Sequence, residues 1–147
     1  MSQITGNHHG TVLENQIGAL LESKKYLRIV PEQQHIKEMP LYIPQFRRNK
    51  TLYKSQMRVD FLIYHPQKWP GKLQIECKWQ SSTGTVDEKF PYLVLSLKQI
   101  HEYPAAILLA GGGYRPGAVQ WLLDQQTESL IVLEGLDKII RWANIEL

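Results

Sequence analysis

The spacing of apolar residues changes period several times along the chain, and each change marks an element. Leu13, Ile17, Leu20 and Leu21 fall at i, i+4, i+7 and i+8, one buried face of a helix, and predict a helix over Gly10–Tyr26. Glu32–Pro40 is a polar connection ended by proline. Leu41–Phe46 reads as a strand that Pro44 assigns to an edge or a bulge. Arg58–Tyr64 (RVDFLIY) and Leu73–Gln80 (LQIECKWQ) are strands, joined by the prolines and glycine of HPQKWPG. Asp87–His101 is a helix with Pro91 in its first turns. The short apolar run Ala105–Ala110 is a buried strand, followed by GGGYRPG. Pro116 sits where a helix would begin, and Val119, Leu122 and Leu123 continue it. Leu130–Leu133 is a last short strand and Leu136–Trp142 a closing helix or turn. Helix, strands, helix, strand, helix, strand, helix predicts a three-layer α/β domain. Its mixed sheet starts with an antiparallel hairpin and ends with parallel crossovers.

With 147 residues, 43% of them hydrophobic, the chain makes one domain with a substantial core, expected over residues 10–147. Residues 1–9 are polar and read as a loose leader without the basic-then-apolar order of a signal peptide. No apolar run approaches the roughly 18–20 residues of a membrane span. The single cysteine, Cys77, excludes an internal disulfide and fits a reducing cytoplasm. A net charge of +3 permits nucleic-acid binding without demanding it, so the placement of charge matters more than its sum.

That placement singles out LQIECKWQ. As a strand it turns Leu73, Ile75, Cys77 and Trp79 to one face and Gln74, Glu76, Lys78 and Gln80 to the other. An acid-x-lysine triplet is a weak signal, because chance supplies roughly half an occurrence in a chain this long. Glu22-Ser-Lys24 and Asp87-Glu-Lys89 also fit, but both lie on predicted helices, where i and i+2 point about 200° apart. Only Glu76 and Lys78 project side by side. A hairpin turning near Lys68 brings Asp60 opposite Glu76, with Cβ atoms about 4.5–5.5 Å apart. Carboxylates that close repel unless a cation lies between them, and a hard ion such as Mg²⁺ takes one or two carboxylates with water and phosphate oxygens. The competing reading is a solvated sheet face with an ordinary ion pair. Leu62 and Tyr64 follow Asp60 on the same face and argue that this face is covered.

Asp60, fifteen residues, then Glu76-Cys-Lys78 resembles the signature of the PD-(D/E)XK nuclease superfamily, with its three-layer α/β/α restriction-endonuclease-like fold. The resemblance implies that Asp60 and Glu76 bind Mg²⁺ (or Mn²⁺ in its place), that the backbone carbonyl of Cys77 adds a ligand, and that Lys78 assists the attacking water. It also implies an accessory acid from the first helix. Glu14 matches that position, although it could equally be an exposed helix residue. Val59 stands where the name-giving proline would be. The implied activity is Mg²⁺-dependent endonuclease cleavage of DNA. An RNA-directed nuclease and an inactive nucleic-acid-binding module on the same fold are the alternatives. Cutting both strands of a duplex would call for a homodimer, since one site cuts one strand.

Arg47, Arg48, Lys50, Lys54 and Arg58 cluster without an acidic residue just before Asp60 and are candidates for phosphate contact, the alternative being a solvated loop. Gln80 on the polar stripe, Lys89 at the start of the next helix, and Tyr114 and Arg115 after the glycines are further nucleic-acid contacts to test. The glycine run lacks the order of a nucleotide-binding loop. The five histidines show no zinc-ligand spacing.

Overall fold

Leu13, Ile17 and Leu21 are completely buried along one face of α1 (Thr5–Ser23). Burying each removes apolar surface worth about 1.5–3 kcal/mol, and this stripe seats the helix on a six-stranded sheet. The computed structural model describes the backbone of residues 5–50, 56–99 and 103–147, and the side chains of residues 12–47, 57–98 and 103–147. The strands are β1 (Leu27–Arg28), β2 (Leu41–Lys50), β3 (Gln56–His65), β4 (Trp69–Trp79), β5 (Ala105–Ala110) and β6 (Leu130–Glu134), adjacent in chain order. β2, β3 and β4 pair antiparallel, while β1 with β2, β4 with β5 and β5 with β6 pair parallel. The other helices are α2 (Phe90–Gln99), α3 (Pro116–Asp124) and α4 (Leu136–Glu146).

Two main cores lie on the two faces of the sheet, and a smaller cluster of Ile29, Leu41, Ile43 and Leu62 lies at β2 and β3. α1 and α4 cover Phe61, Ile63, Leu73, Ile75, Cys77, Ala106 and Leu108. α2 and α3 cover Ala105, Ile107, Leu109, Leu130 and Val132. This is the expected α/β/α sandwich with a mixed sheet. Among the described residues, no helix is long and apolar enough to cross a membrane.

Several boundaries differ from the sequence pattern. The first helix begins at Thr5, inside the stretch read as a leader, where the sequence offers no apolar periodicity from which to read it. It ends before Tyr26: Lys25 turns left-handed (φ 71°), and the amides of Lys25 and Tyr26 cap the carbonyls of Glu22 and Leu21. β2 continues past Phe46 to Lys50, so Arg47, Arg48 and Lys50 lie on a strand paired with β3, which carries Arg58, while Lys54 lies outside the described residues. The second helix starts at Phe90, after a 3-10 turn over Asp87–Lys89.

Candidate functional site

The β3–β4 ladder sets the site. Phe61 faces Ile75, Leu62 faces Gln74 and Ile63 faces Leu73. One step beyond Phe61 and Ile75 the regular pairing ends, and that step is Asp60 and Glu76. Their side chains take over where backbone pairing stops. The Asp60 Oδ2 accepts the Cys77 N–H at 2.6 Å, and the Glu76 Oε1 accepts the Asp60 N–H at 3.1 Å. Each carboxylate thus satisfies a strand donor that would otherwise lack a partner. Opposition of these two residues is what the sequence spacing predicts.

On the next strand the alternation also breaks. Gln45 lies opposite Asp60, between the pairs Pro44–Phe61 and Phe46–Val59, and its φ of 52° is left-handed. On either side of this point the strands change face: Phe61 packs under α1, whereas Val59 and Phe46 join the α2–α3 core. The expected irregularity at Pro44 is therefore a kink at its neighbour. Gln45 Nε2 donates to Glu14 Oε2 at 2.7 Å and to Asp60 Oδ1 at 3.3 Å. Lys78 Nζ lies 3.1 Å from Glu76 Oε2, its side chain 35% exposed against 7% for Glu76. Glu14, Gln45, Asp60, Glu76 and Lys78 form one connected polar network.

Charge in this network is frustrated. Burial and the neighbouring Asp60 push Glu76 up to about 8, and the same two causes push Glu14 up to about 7. Burial alone would lower the Lys78 ammonium, but Glu76 and Asp60 outweigh it and hold its pKa above the ordinary lysine value. Burial pushes the Cys77 thiol well up and leaves it inert. The donor set therefore suits a hard divalent ion: carboxylate oxygens, mutually repelling, with one cation among them. No three His, Cys, Asp or Glu side chains among the described residues close into a metal cage on their own. The site offers oxygen ligands that water and substrate would complete.

The raised carboxyls make stability depend on pH. Both groups titrate near 4.5 when unperturbed, so the folded chain holds protons that the unfolded chain releases. Their contribution is full below that value and is lost as pH rises through about 7 to 8. The metal-free protein should melt on the order of 5 °C lower at about pH 8.5 than at about pH 5. Glu76→Gln should flatten that slope, and millimolar Mn²⁺ should raise the melting temperature more at the higher pH, where no protons need displacing. A slope identical in wild type and Glu76→Gln would contradict the assignment.

A sequence model of the PD-(D/E)XK nuclease superfamily domain matches residues 5–147, all but the first four residues of the chain. The chain belongs to the PD-(D/E)XK nuclease superfamily. A search of curated proteins finds no match. Membership supports a nuclease in general terms, acting on nucleic acid with the divalent metals that PD-(D/E)XK nucleases generally use.

Within this PD-(D/E)XK domain the remaining candidates divide. Arg47 and Arg58 face each other across the β2–β3 hairpin, both exposed, with no carboxylate partner among the described residues. Like charges directly opposite destabilise a strand pair, so the pair is suited to an anion. Arg48 and Lys50 continue the same strand, their side chains lying outside the described residues, as does all of Lys54. Lys89 is exposed on the 3-10 turn.

Gln80, expected to touch water or phosphate, is instead a latch. Its amide is buried and spent at both ends, donating to the Gly113 carbonyl at 3.0 Å and accepting the Val86 N–H at 2.9 Å. The glycine run exists for this crossing: a Cβ on Gly113 would lie 2.4 Å from the Ser82 nitrogen. Tyr114, a proposed contact to nucleic acid, is buried against Phe90 with ring centroids 5.7 Å apart. Arg115, read as a nucleic-acid contact, spends its guanidinium on Asp87 at 3.4 Å and Glu88 at 3.3 Å. Sequence reasoning missed Gln45. The available signal was an amide ending the apolar Leu41–Ile43 stripe directly after a strand proline.

Proposed function

We propose that this chain is a metal-dependent nuclease that hydrolyses phosphodiester bonds in DNA, with Mg²⁺ as its natural ion. The observation that carries this reading is the single hydrogen-bonded network of Glu14, Asp60, Glu76 and Lys78 at the splayed end of two strands. Asp60 and Glu76 would hold the ion, with Glu14 as the accessory acid and the Cys77 carbonyl as a further oxygen. When bound, the ion supplies a Lewis acid for a phosphate oxygen and lowers the pKa of a bound water. Lys78 remains an ammonium beside Glu76, so it donates hydrogen bonds to the water or the phosphate and offsets negative charge developing at phosphorus. It does not serve as the base. Arg47 and Arg58 would grip a phosphate from the hairpin, and Arg48, Lys50, Lys54 and Lys89 would extend the basic surface around it.

DNA is favoured over RNA only by the family resemblance, and the test must include both. Supercoiled plasmid, single-stranded DNA, a four-way junction and a structured RNA are incubated with Mg²⁺, Mn²⁺ or EDTA. DNA is expected to be cut with either ion and left intact in EDTA. Linear product from single encounters with plasmid would point to a homodimer, and nicked circles to a monomer. Cleavage of RNA alone would replace DNA as the substrate. Binding of every substrate without cleavage of any would make the domain a binding module.

A further inference from the structure

Gln45 has two properties that are costly separately and useful together. Its backbone is left-handed in the middle of a strand, a conformation glycine adopts without penalty and a glutamine does not. Its side chain spans two elements: Nε2 reaches Glu14 Oε2 on α1 at 2.7 Å and Asp60 Oδ1 on β3 at 3.3 Å. A residue that only had to make the kink would be glycine. What glutamine adds is a neutral amide with two hydrogens between two carboxylates.

Glu14 needs such a donor. The face of α1 that packs on the sheet is made by Leu13 and Ile17, and Glu14 lies on its flank, half-buried. Asp60 repels its charged form while Lys78 attracts it from across the site, and the Gln45 amide is the neutral donor that bonds its carboxylate directly at 2.7 Å. A lysine at position 45 would also bridge the pair, but its charge would compete with an incoming cation. An amide holds both oxygens at one point and leaves the site's negative charge undiminished.

We infer that Gln45 is a positioning residue: through the hydrogen bonds of its amide it carries Glu14 into the divalent-ion site beside Asp60. The inference rests on the metal-site part of the nuclease reading, not on which nucleic acid is cut. It makes Glu14 a working member of the site only while Gln45 holds it.

The test is Mn²⁺ binding by isothermal titration to wild type, Gln45→Gly, Glu14→Gln and the double variant, with thermal melts of each. Gln45→Gly accepts the left-handed backbone, so its fold is expected intact while Mn²⁺ binds about tenfold more weakly. Glu14→Gln should weaken binding to a similar extent, and the double variant should be no worse than either single one, because both remove the same interaction. Should Gln45→Gly fail to fold, Gln45→Asn takes its place, since asparagine also tolerates this backbone and its shorter amide falls short of Glu14. Three results overturn the inference: affinity within twofold of wild type in the position-45 variant, additive losses in the double variant, or no Mn²⁺ binding by the wild type. A wild type that shows the expected coupling yet cuts no nucleic acid would support the inference and reject the nuclease reading. Cleavage by a wild type whose Gln45→Gly variant binds Mn²⁺ normally would do the opposite.

Discussion

Lys78→Ala is expected to slow phosphodiester cleavage by about a thousandfold while leaving the fold in place. The side chain is a third exposed and, among the described residues, its ion pair is with Glu76, so little packing is lost. On the proposed reading, what goes is the ammonium that would meet the reacting phosphate, a donor that matters most when charge builds at phosphorus. Its removal also takes away the influence that restrains Glu76, whose pKa is already raised by burial and by Asp60. The residual activity of Lys78→Ala should therefore need a higher pH than the wild type before it reaches its plateau. Single-turnover rates across pH, with a circular-dichroism melt as control, measure both effects. A rate within tenfold of wild type would remove Lys78 from the chemistry.

Asp60 offers a second large effect, with a contrast between two variants. Asp60→Asn and Asp60→Ala should each lose at least about a thousandfold in cleavage, the several kcal/mol that a correctly held metal contributes. Their stabilities should diverge. Asp60→Asn keeps an oxygen for the Cys77 N–H and relieves the repulsion that raises Glu14 and Glu76, so the metal-free protein should be as stable as wild type or more so. Asp60→Ala leaves that amide without its acceptor inside the sheet, at a cost of about 1–3 kcal/mol. Urea unfolding without metal separates the two. Equal stabilities would mean that the Asp60–Cys77 hydrogen bond contributes nothing to the strand junction.

Much of this arrangement was legible in the residues because two periodicities carry it. Leu13, Ile17 and Leu21 announce α1, and the alternation of LQIECKWQ announces β4 and the stripe bearing Glu76 and Lys78. The hairpin at HPQKWPG, together with a register shift between Ile63 and His65, then brings Asp60 opposite Glu76. What stayed hidden depends on contacts between distant segments. Gln80 sits on the polar stripe, and only the crossing of the Ser81–Ser82 and Gly111–Gly113 segments reveals that its amide is consumed there. Tyr114 and Arg115 look free in the sequence because Phe90, Asp87 and Glu88 become their neighbours through folding alone. Gln45 was hidden for another reason. Strand alternation presumes an extended backbone, and one left-handed residue moves everything beyond it to the other face.

The crossing at Gln80 has a mechanical consequence. β4 lies between β3 and β5, and just past Lys78 it is stapled to the segment after β5 through Gln80 and Gly113. The half of the site that carries Glu76 and Lys78 is thus mounted on an anvil. Asp60 belongs to the opposite half, where the ladder has already ended and a kinked partner strand runs out into the basic hairpin. On the proposed reading, any accommodation to the width or bend of a bound nucleic-acid strand would fall to that second half, while Glu76 and Lys78 would keep their place.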